Sequence, residues 1–329
     1  MSEKKNFKQK IKVLVTGSNG FIGFHLVQYL ISKNYSVTGL DNLSSVSVST
    51  QKLRTKILNK NNKFKFYKID LKKPKSLNKI KGKFDIIIHL AAQPGVRLSM
   101  DKPVETFSNN IGGYINLLEF AKNKKIKNII YASSSSTYGN TNSFKESNLN
   151  FNNITSIYAG SKLASEIVSN IYHKLFNINF IGLRFFTVFG EYGREDMAYY
   201  KFLNQIKKDR RITIYGDKSS KRSFTHVKDV VQSIYILTKK IKYKKKVNLC
   251  LNIGNPKQIT LKYLVEIIRL KFPLKFKEIY LKKNLSDVDQ TKTNITLLTK
   301  VVGKLNFSDF KTDYIRFISW YKEIFLRKK

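Results

Sequence analysis

The chain has 329 residues, of which 62 are Lys or Arg and 22 are Asp or Glu, so its formal net charge at neutral pH is +40. This balance excludes an acidic solvating protein and makes nucleic acid or an anionic membrane surface candidate partners. Hydrophobic residues form 42% of the chain and aromatic residues 13%, which excludes a disordered chain and supports one large domain or two.

Strands and helices alternate through roughly the first 185 residues. Helices are expected at 21–33, 103–122 and 158–176. Short β-branched or apolar runs predict six strands, at 11–16, 37–40, 64–69, 84–90, 127–132 and 180–185. This alternation is typical of right-handed βαβ units. It predicts an α/β fold with a Rossmann-type doubly wound parallel sheet.

The pattern changes after residue 185. Helices are expected at 198–207, 227–240, 261–270 and 310–325, with shorter strands between them. We predict a basic tail at 1–10, a dinucleotide-binding domain at 11–185 and a smaller C-terminal α/β substrate lobe at 186–329. The boundary near residue 186 is expected to within several residues, and the chain after it can cross back to the first domain.

Cysteine usage and the termini indicate the compartment. The single cysteine, Cys250, has no partner for an internal disulfide, which suits a reducing environment. The N-terminal segment lacks the apolar stretch of a signal peptide, and no run approaches ~18 apolar residues. We therefore expect a cytoplasmic protein. The four histidines show no metal-ligand spacing, so no metal site is predicted.

A glycine-rich turn follows the first predicted strand directly. Gly17, Gly20 and Gly23 stand at the positions that permit a tight turn, a close approach to a pyrophosphate and close packing of helix on strand. The following helix N-terminus offers N–H groups and partial positive charge to the phosphates. Asp41 ends the second strand. A carboxylate at this position accepts hydrogen bonds from the hydroxyls of an adenosine ribose and repels a 2′-phosphate. The pattern therefore predicts NAD rather than NADP.

Tyr158 and Lys162 are four residues apart at the start of a predicted helix and so share one face. A nearby ammonium is expected to lower the pKa of a phenol toward neutrality, which would let Tyr158 exchange a proton with an alcohol. The serines 133–136 follow the fifth strand, at the edge where open α/β sheets bind ligands. A hydroxyl from this cluster can bind the same substrate oxygen.

These residues together resemble the extended short-chain dehydrogenase/reductase superfamily, in its NAD-dependent epimerase/dehydratase family. The resemblance covers the chain from Ile11 to about Ile318 and is closest to the UDP-glucuronate 4-epimerases. The segments that carry it are HLAAQPGVRLSM, YASSSSTYGN, SIYAGSKLASE, GLRFFTVFGEYGREDMAYYKF and KRSFTHVKDVV.

The resemblance implies roles for individual positions. It implies that Ser134, Tyr158 and Lys162 are catalytic, with Lys162 also binding the nicotinamide ribose. The implied NAD-binding residues are Gly17, Gly20, Phe21, Ile22, Gly23, Asp41, Asn42, Asp70, Leu71, Ala91, Ala92, Gln93, Asn110, Tyr131, Tyr158 and Lys162. The implied residues around the sugar, uridine or diphosphate are Arg97, Ser135, Ser136, Thr187, Arg194, Lys201, Tyr215, Arg222 and Asp287.

Two substitutions separate this chain from other members of the superfamily. Dehydratases carry Asp-Glu and decarboxylases carry Glu where this chain has Ser135 and Ser136. The missing carboxylate favours epimerisation, and the resemblance implies that the reaction is 4-epimerisation of UDP-glucuronate to UDP-galacturonate. A 4-epimerase of UDP-glucose/galactose or of a UDP-N-acetylhexosamine is the alternative, and a basic nucleic-acid-binding Rossmann protein is a remote one. The resemblance also implies a homodimer formed through the helices at 103–122 and 158–176.

Overall fold

The computed structural model describes residues 10–44, 47–241, 246–282 and 290–326. A seven-stranded sheet, parallel throughout, organises most of the molecule. Its strands, in spatial order, are β10 (Asn248–Ile253), β6 (Asn179–Phe185), β5 (Asn128–Ser134), β4 (Ile86–His89), β1 (Lys12–Thr16), β2 (Ser36–Asp41) and β3 (Phe64–Lys68). The predicted doubly wound Rossmann-type sheet is confirmed, and all six predicted strands are present.

Helices cover both faces of this sheet. Successive side chains of a strand point to opposite faces, so alternate strand residues belong to different cores. Val13 and Val15 pack with helix α1 (Phe21–Ser32), while Leu14 packs with helix α5 (Gly113–Asn123). The further helices are α2 (Val48–Asn59), α3 (Val96–Asp101), α4 (Pro103–Phe107), α6 (Ile157–Phe176), α7 (Ala198–Asp209), α8 (Val227–Ile241), α9 (Leu261–Lys271), α10 (Thr296–Val302) and α11 (Phe310–Phe325).

Two small sheets lie outside the main one. One contains β11 (Gln258–Thr260), β9 (Lys221–His226) and β7 (Thr187–Phe189), and the other pairs β12 (Lys277–Leu281) with β8 (Arg211–Tyr215). Helices α7, α9 and α11 enclose a separate aromatic-rich core, to which Tyr199, Phe317 and Tyr314 belong.

After forming β7, α7, β8 and β9 outside the main sheet, the chain returns to this sheet. Helix α8 packs against α1, and β10 adds the seventh strand beside β6. Val230 and Ile234 therefore share a core with α1 rather than with the C-terminal lobe. The division into a domain at 11–185 and a lobe at 186–329 stays a prediction. It stands in the form in which the chain crosses back to the first domain. Most of the predicted 1–10 tail lies outside the described residues.

The helix predicted over 103–122 is present, and it contains a π-helical turn that the sequence analysis did not predict. Helix α4 ends at Phe107, a π-helical turn occupies Ser108–Gly112, and α5 continues to Asn123. The buried Asn110 lies in this wide turn, where its amide is directed to partners outside the helix. A π-helical turn of this kind frequently accompanies a functional site.

Candidate active site

The glycine-rich turn has the tight geometry that its spacing predicts. Gly17 has φ +69°, and a Cβ there would lie 2.6 Å from the backbone nitrogen of Ala91. The Gly17 N–H donates to the carbonyl of Leu40 at 2.7 Å, which places the turn between β2 and β4. A Cβ on Gly23 would collide with the Gly17 carbonyl. These positions therefore leave a shallow backbone cradle at the start of α1, with Phe21 and Ile22 in its first turn.

Asp41 lies at the end of β2 and is almost fully buried. Its carboxylate accepts the N–H groups of Asn19 at 3.0 Å and Leu43 at 2.8 Å. Burial raises the pKa of Asp41, while these two hydrogen bonds and the charge of Arg54 oppose the rise. Asn42 is exposed next to it. This arrangement places a carboxylate beside the glycine turn, where it fits an adenosine ribose.

The remaining predicted NAD positions follow the carboxyl ends of β3 and β4. Asp70 and Leu71 come directly after β3, and Ala91, Ala92 and Gln93 form the segment after β4. The Gln93 N–H donates to the Asn110 side chain at 2.7 Å, and the Asn110 amide donates to the Ser161 hydroxyl at 3.0 Å. Asn110 thus connects this segment to helix α6.

Tyr131 is placed differently from what its predicted role suggests. Its ring is 1% exposed and packs between Tyr114 and Phe180, with its hydroxyl 3.4 Å from the sulfur of Cys250. The side chain belongs to the hydrophobic core, so any contribution of Tyr131 to the cofactor path falls to its backbone. Burial raises the pKa of the Cys250 thiol to about 12, which fits a packing role.

Ser134, Tyr158 and Lys162 are brought together by β5 and α6. Ser134 is the last residue of β5, and its hydroxyl is close enough to the Tyr158 phenol to lower the pKa of that group. The Ser156 hydroxyl caps α6 by accepting the Ala159 N–H at 3.1 Å, which fixes Tyr158 in the first turn. The Lys162 ammonium lies 5.9 Å from the centre of the Tyr158 ring and donates to the Ala132 carbonyl at 2.9 Å.

The electrostatics of this triad differ from the expectation for Tyr158. Lys162 is 3% exposed, and burial lowers its pKa to about 8. Burial also raises the pKa of Tyr158, and the effects that oppose this rise come from Arg194 and the Ser134 hydrogen bond. The prediction that Lys162 brings the Tyr158 pKa toward neutrality is therefore wrong for the protein alone. Desolvation outweighs the neighbouring charges, and the largest effect that opposes it is the charge of the Arg194 guanidinium.

Three predicted substrate residues from distant parts of the chain meet on one aromatic ring. The Arg97 guanidinium, from α3, lies 4.2 Å from the centre of the Tyr215 ring at the end of β8. The Lys201 ammonium, from α7, lies 5.7 Å from the same ring. The half-exposed Tyr215 ring and two cations form a surface suited to the base and phosphates of a nucleotide.

The other predicted substrate residues lie in several separate elements. Ser135 and Ser136 lie in a 3₁₀ turn after Ser134, and the Ser136 N–H donates to the Ser134 hydroxyl at 3.1 Å. Arg194 is half-buried and makes two hydrogen bonds to Asp196, at 3.0 and 2.6 Å. Thr187 is the first residue of β7. Arg222 lies in β9, beside the edge strand β11 of the same three-stranded sheet. Asp287 lies outside the described residues.

A buried ion pair behind the serines was missed by the sequence analysis. Glu166 binds Arg184 through two hydrogen bonds, at 2.9 and 2.8 Å, and accepts the Ser133 hydroxyl at 2.6 Å. Glu166 lies one helical turn after Lys162, so the spacing Tyr158, Lys162, Glu166 was the available signal. The pair joins β5, β6 and α6 directly beneath the catalytic candidates.

Two further absences concern the described residues alone. Among residues 10–44, 47–241, 246–282 and 290–326, no helix combines the length and apolar character that a membrane crossing requires. Within the same ranges, no group of three or more His, Cys, Asp and Glu side chains is arranged to hold a metal ion.

A glycine turn at the carboxyl edge of a parallel sheet, together with a Ser–Tyr–Lys constellation, defines an enzyme of the short-chain dehydrogenase/reductase type. The sequence model of the NAD dependent epimerase/dehydratase family matches residues 13–254. The chain belongs to this family, and NAD is its cofactor. The family and the cofactor predicted from the sequence are thereby confirmed.

Similar proteins carry the activity that the sequence analysis expects. The UDP-glucuronate 4-epimerase of Thermodesulfobacterium geofontis is 32% identical over 94% of this chain and 96% of that protein. The crystal structure of UDP-glucuronic acid 4-epimerase from Bacillus cereus, with UDP-glucuronic acid and NAD, has a TM-score of 0.87 at 28% identity and covers 96% of this chain and 100% of that one. The UDP-N-acetylglucosamine 4-epimerase from Methanobrevibacter ruminantium has a TM-score of 0.82 at 29% identity, over 95% and 99% of the two chains.

Proposed function

We propose that this enzyme interconverts UDP-glucuronate and UDP-galacturonate by inverting the configuration at C4 of the sugar. The observation that carries the proposal is the pair Ser135 and Ser136 in the turn after the catalytic serine, together with the charge of Arg194, which opposes the rise of the Tyr158 pKa. This arrangement offers a cation and hydroxyl groups to a sugar carboxylate. It offers no carboxylic acid at the two positions where related dehydratases and decarboxylases carry one.

The residues of the glycine turn fit NAD. Gly17, Gly20 and Gly23 leave backbone room for its pyrophosphate, and Asp41 accepts the hydroxyls of its adenosine ribose. When bound, NAD accepts a hydride from C4 of the sugar and returns it. The chain's own residues then have to move one proton, hold the sugar and keep the carboxylate from leaving as CO₂.

Tyr158 is the acid and base of the reaction. Its phenolate removes the proton of the C4 hydroxyl as the C4 hydrogen leaves as hydride, and the phenol returns this proton during the reduction. Ser134, whose hydroxyl acts on the pKa of the phenol, orients the C4 oxygen. Lys162 contributes its charge from below the ring. A positioned proton donor of this kind contributes about 10²–10⁴ in rate.

Inversion requires that the 4-keto sugar present its other face. While the sugar rotates, Arg97, Lys201 and Tyr215 hold the nucleotide. These three residues lie together in the structure, and they are far from the catalytic serine in the sequence. Arg222 and Asp287 are the further candidates at the nucleotide end. The sugar rotates about the diphosphate link, and hydride returns to the opposite face.

The 4-keto uronate is a β-keto acid and so is prone to decarboxylation. The C–CO₂ bond breaks readily only when it aligns with the carbonyl π system. We assign Thr187, Ser135, Ser136 and Arg194 to holding the carboxylate near the ring plane, where this alignment is lost. The enzyme therefore returns the intact acid rather than a pentose.

Product analysis without added cofactor tests the proposal. Purified protein is incubated separately with UDP-glucuronate, UDP-glucose and UDP-N-acetylglucosamine, and the products are resolved by chromatography. We expect UDP-galacturonate from the first and little conversion of the other two. Turnover confined to the neutral sugars would replace this proposal with the alternative, which the structural likeness to the UDP-N-acetylglucosamine 4-epimerase supports. Retention of DNA at moderate salt, with no turnover, would favour the nucleic-acid-binding alternative.

We also propose a cytoplasmic homodimer. Helix α6 exposes Ile167, Ile171 and Leu175 at four-residue spacing, and α4 exposes Val104 and Phe107 beside it. Such a contiguous apolar face on neighbouring helices is typical of a protein–protein interface. Light scattering should give twice the chain mass, and Ile171→Asp with Leu175→Asp should give the single mass. A wild-type monomer would contradict the dimer.

A further inference from the structure

Residues 191–196, here called the bridging segment, touch both halves of the candidate active site. The segment follows β7 and precedes α7, and it includes the substrate candidate Arg194. Its contacts reach the glycine turn, helix α1, the start of helix α2 and helix α11. Arg54 and Glu195 make most of these contacts and have no part in the functions assigned above.

Arg54 joins the bridging segment to the glycine turn. This arginine of α2 is 1% exposed. Its Nε donates to the carbonyl of Asn19 at 2.8 Å, and one terminal nitrogen donates to the carbonyl of Tyr192 at 2.6 Å. Because the guanidinium is rigid and planar, these two carbonyls are held at a fixed separation. Asn19 lies inside the turn between Gly17 and Gly20.

Glu195 joins the segment to the start of α2. Its carboxylate accepts the Thr50 N–H at 2.9 Å, the Thr50 hydroxyl at 3.0 Å and the Ser49 hydroxyl at 2.7 Å. Its own N–H donates to the Ser47 hydroxyl at 3.0 Å. A carboxylate at a helix N-terminus is favourable, because it pairs with N–H groups that have no partner within the helix. The side chain of Ser47, which directly precedes α2, makes no capping hydrogen bond to the helix.

The first residue of the segment has partners in both halves of the molecule. His25 of α1 donates to the Glu191 carbonyl at 2.8 Å, and Arg316 of α11 donates to the Glu191 carboxylate at 2.9 Å. Tyr192, at φ +57°, turns the backbone between these contacts and the Arg54 contact. The segment is therefore held on each side of Arg194, at residues 191–192 and at residue 195.

We propose that the bridging segment, held by Arg54 and Glu195, couples occupancy of the NAD site to the position of Arg194 in the sugar site. Arg54 and Glu195 are then positioning residues for both ligands. Anything that fixes the Asn19 peptide also fixes Arg54, and the same guanidinium fixes Tyr192, two residues before Arg194. By linkage, a sugar that fixes Arg194 strengthens the hold on NAD to the same degree.

The inference rests on the proposed function for the identity of the sugar, but its first test does not. Arg54→Met, Arg54→Lys, Glu195→Ala and Glu195→Gln are purified, and the NAD released by acid is measured per chain. We expect Arg54→Met to retain at most a tenth of the wild-type NAD and Glu195→Ala to retain less than half. Glu195→Gln should stay near wild type, since its amide oxygen still accepts the Thr50 groups.

Arg54→Lys keeps the charge but reaches only one of the two carbonyls, so its NAD content should fall between wild type and Arg54→Met. This variant also serves if Arg54→Met does not fold. Arg269→Met is the matched control, because Arg269 lies on α9 and pairs with Glu278 of β12, away from the segment. Its NAD content should equal that of the wild type. Full NAD content in Arg54→Met and Arg54→Lys would overturn the proposal.

The second test measures the coupling itself. Calorimetry gives the affinity for UDP-glucuronate and for UDP in NAD-loaded and NAD-stripped protein. We expect NAD to strengthen UDP-glucuronate binding several-fold in the wild type, and this factor to fall toward one in Glu195→Ala, while UDP binding is unaffected. If UDP-glucuronate fails to bind at all, the proposed function fails, and the NAD contents still decide the role of Arg54. An equal factor in wild type and Glu195→Ala would overturn the coupling.

Discussion

The cofactor half and the substrate half of the active site are built in different ways. In the cofactor half, the glycine turn follows β1 directly and Asp41 is the last residue of β2, so their positions result from the parallel sheet itself. In the substrate half, Arg97, Lys201 and Tyr215 come from three elements that meet only in the tertiary structure. The first half therefore depends on backbone geometry, and the second depends on how separate elements pack.

Tyr158 stands where the two halves join, and its loss should give the largest effect. Tyr158→Phe removes the proton donor and acceptor but keeps the ring, so we expect kcat to fall by about 10²–10⁴ while bound NAD persists. Tyr172→Phe is the matched control on the same helix, since its hydroxyl binds Glu119 instead. Steady-state kinetics with UDP-glucuronate and the NAD content check both variants. Full activity in Tyr158→Phe would remove the tyrosine from the mechanism.

Gly17→Ala tests whether the cofactor half depends on backbone geometry. The new Cβ meets the Ala91 nitrogen at 2.6 Å at a φ of +69°, so the turn must move. We expect a cost of roughly 1–3 kcal/mol in the free energy of unfolding, together with loss of bound NAD. Gly112→Ala, where a Cβ meets nothing within 4 Å, should leave both nearly unchanged. Urea titration and NAD content measure the two effects, and equal behaviour of the variants would refute the geometric account.

Thr187→Ala tests the substrate half, where single contacts should adjust the reaction without stopping it. Loss of the hydroxyl frees the carboxylate of the 4-keto intermediate, so a fraction of turnovers should end as CO₂ and a UDP-4-keto-pentose. The hydride taken from C4 then has no carbon to return to, so each of these events should leave NADH on the chain, while the total of NAD and NADH per chain should not change. Mass spectrometry of the products measures the leak, with Thr213→Ala on β8 as the control. A product profile identical to that of the wild type would take this role away from Thr187.

Acid should weaken the cofactor half through two desolvated histidines, the buried His89 and the half-buried His25. Burial lowers the pKa of His89 to about 3 and that of His25 to about 4. The unfolded chain binds protons at these sites from an ordinary pKa of about 6.5, so the unfolded state holds more protons below that value. Stability should therefore fall as pH drops from about 6.5 toward 4, by about 1.4 kcal/mol per pH unit for each group. Urea titrations across this range should show a smaller slope in His89→Gln, and an unchanged slope would contradict the assignment.

The same contrast explains what could be predicted from the sequence. The turn at Gly17, the carboxylate of Asp41 and the pair Tyr158 and Lys162 are local patterns, tied to a strand end or a helical turn, and each has the predicted backbone setting. The serine at the end of β5 is local in the same sense. These elements need no knowledge of which distant segments pack together.

The remainder depends on tertiary contacts. Helix α2 has few apolar residues among its lysines and threonines, so its periodicity is weak, and Arg54 within it resembles a surface cation. Its burial follows from the bridging segment, which lies about 140 residues later. The direction of the Tyr158 pKa was also out of reach, because it depends on how completely the ring is buried and on Arg194. The π-helical turn at Asn110 has no sequence pattern that separates it from an ordinary helix.

The central claim is that hydride leaves C4 and returns to C4 within one active site. The most direct test is the reaction of UDP-glucuronate in D₂O with no added NAD, followed by proton NMR of the sugar. The account predicts UDP-galacturonate that keeps its original hydrogen at C4, since the hydride never exchanges with solvent. Deuterium at C4 would contradict it, because a proton would then have been removed from this carbon in place of a hydride.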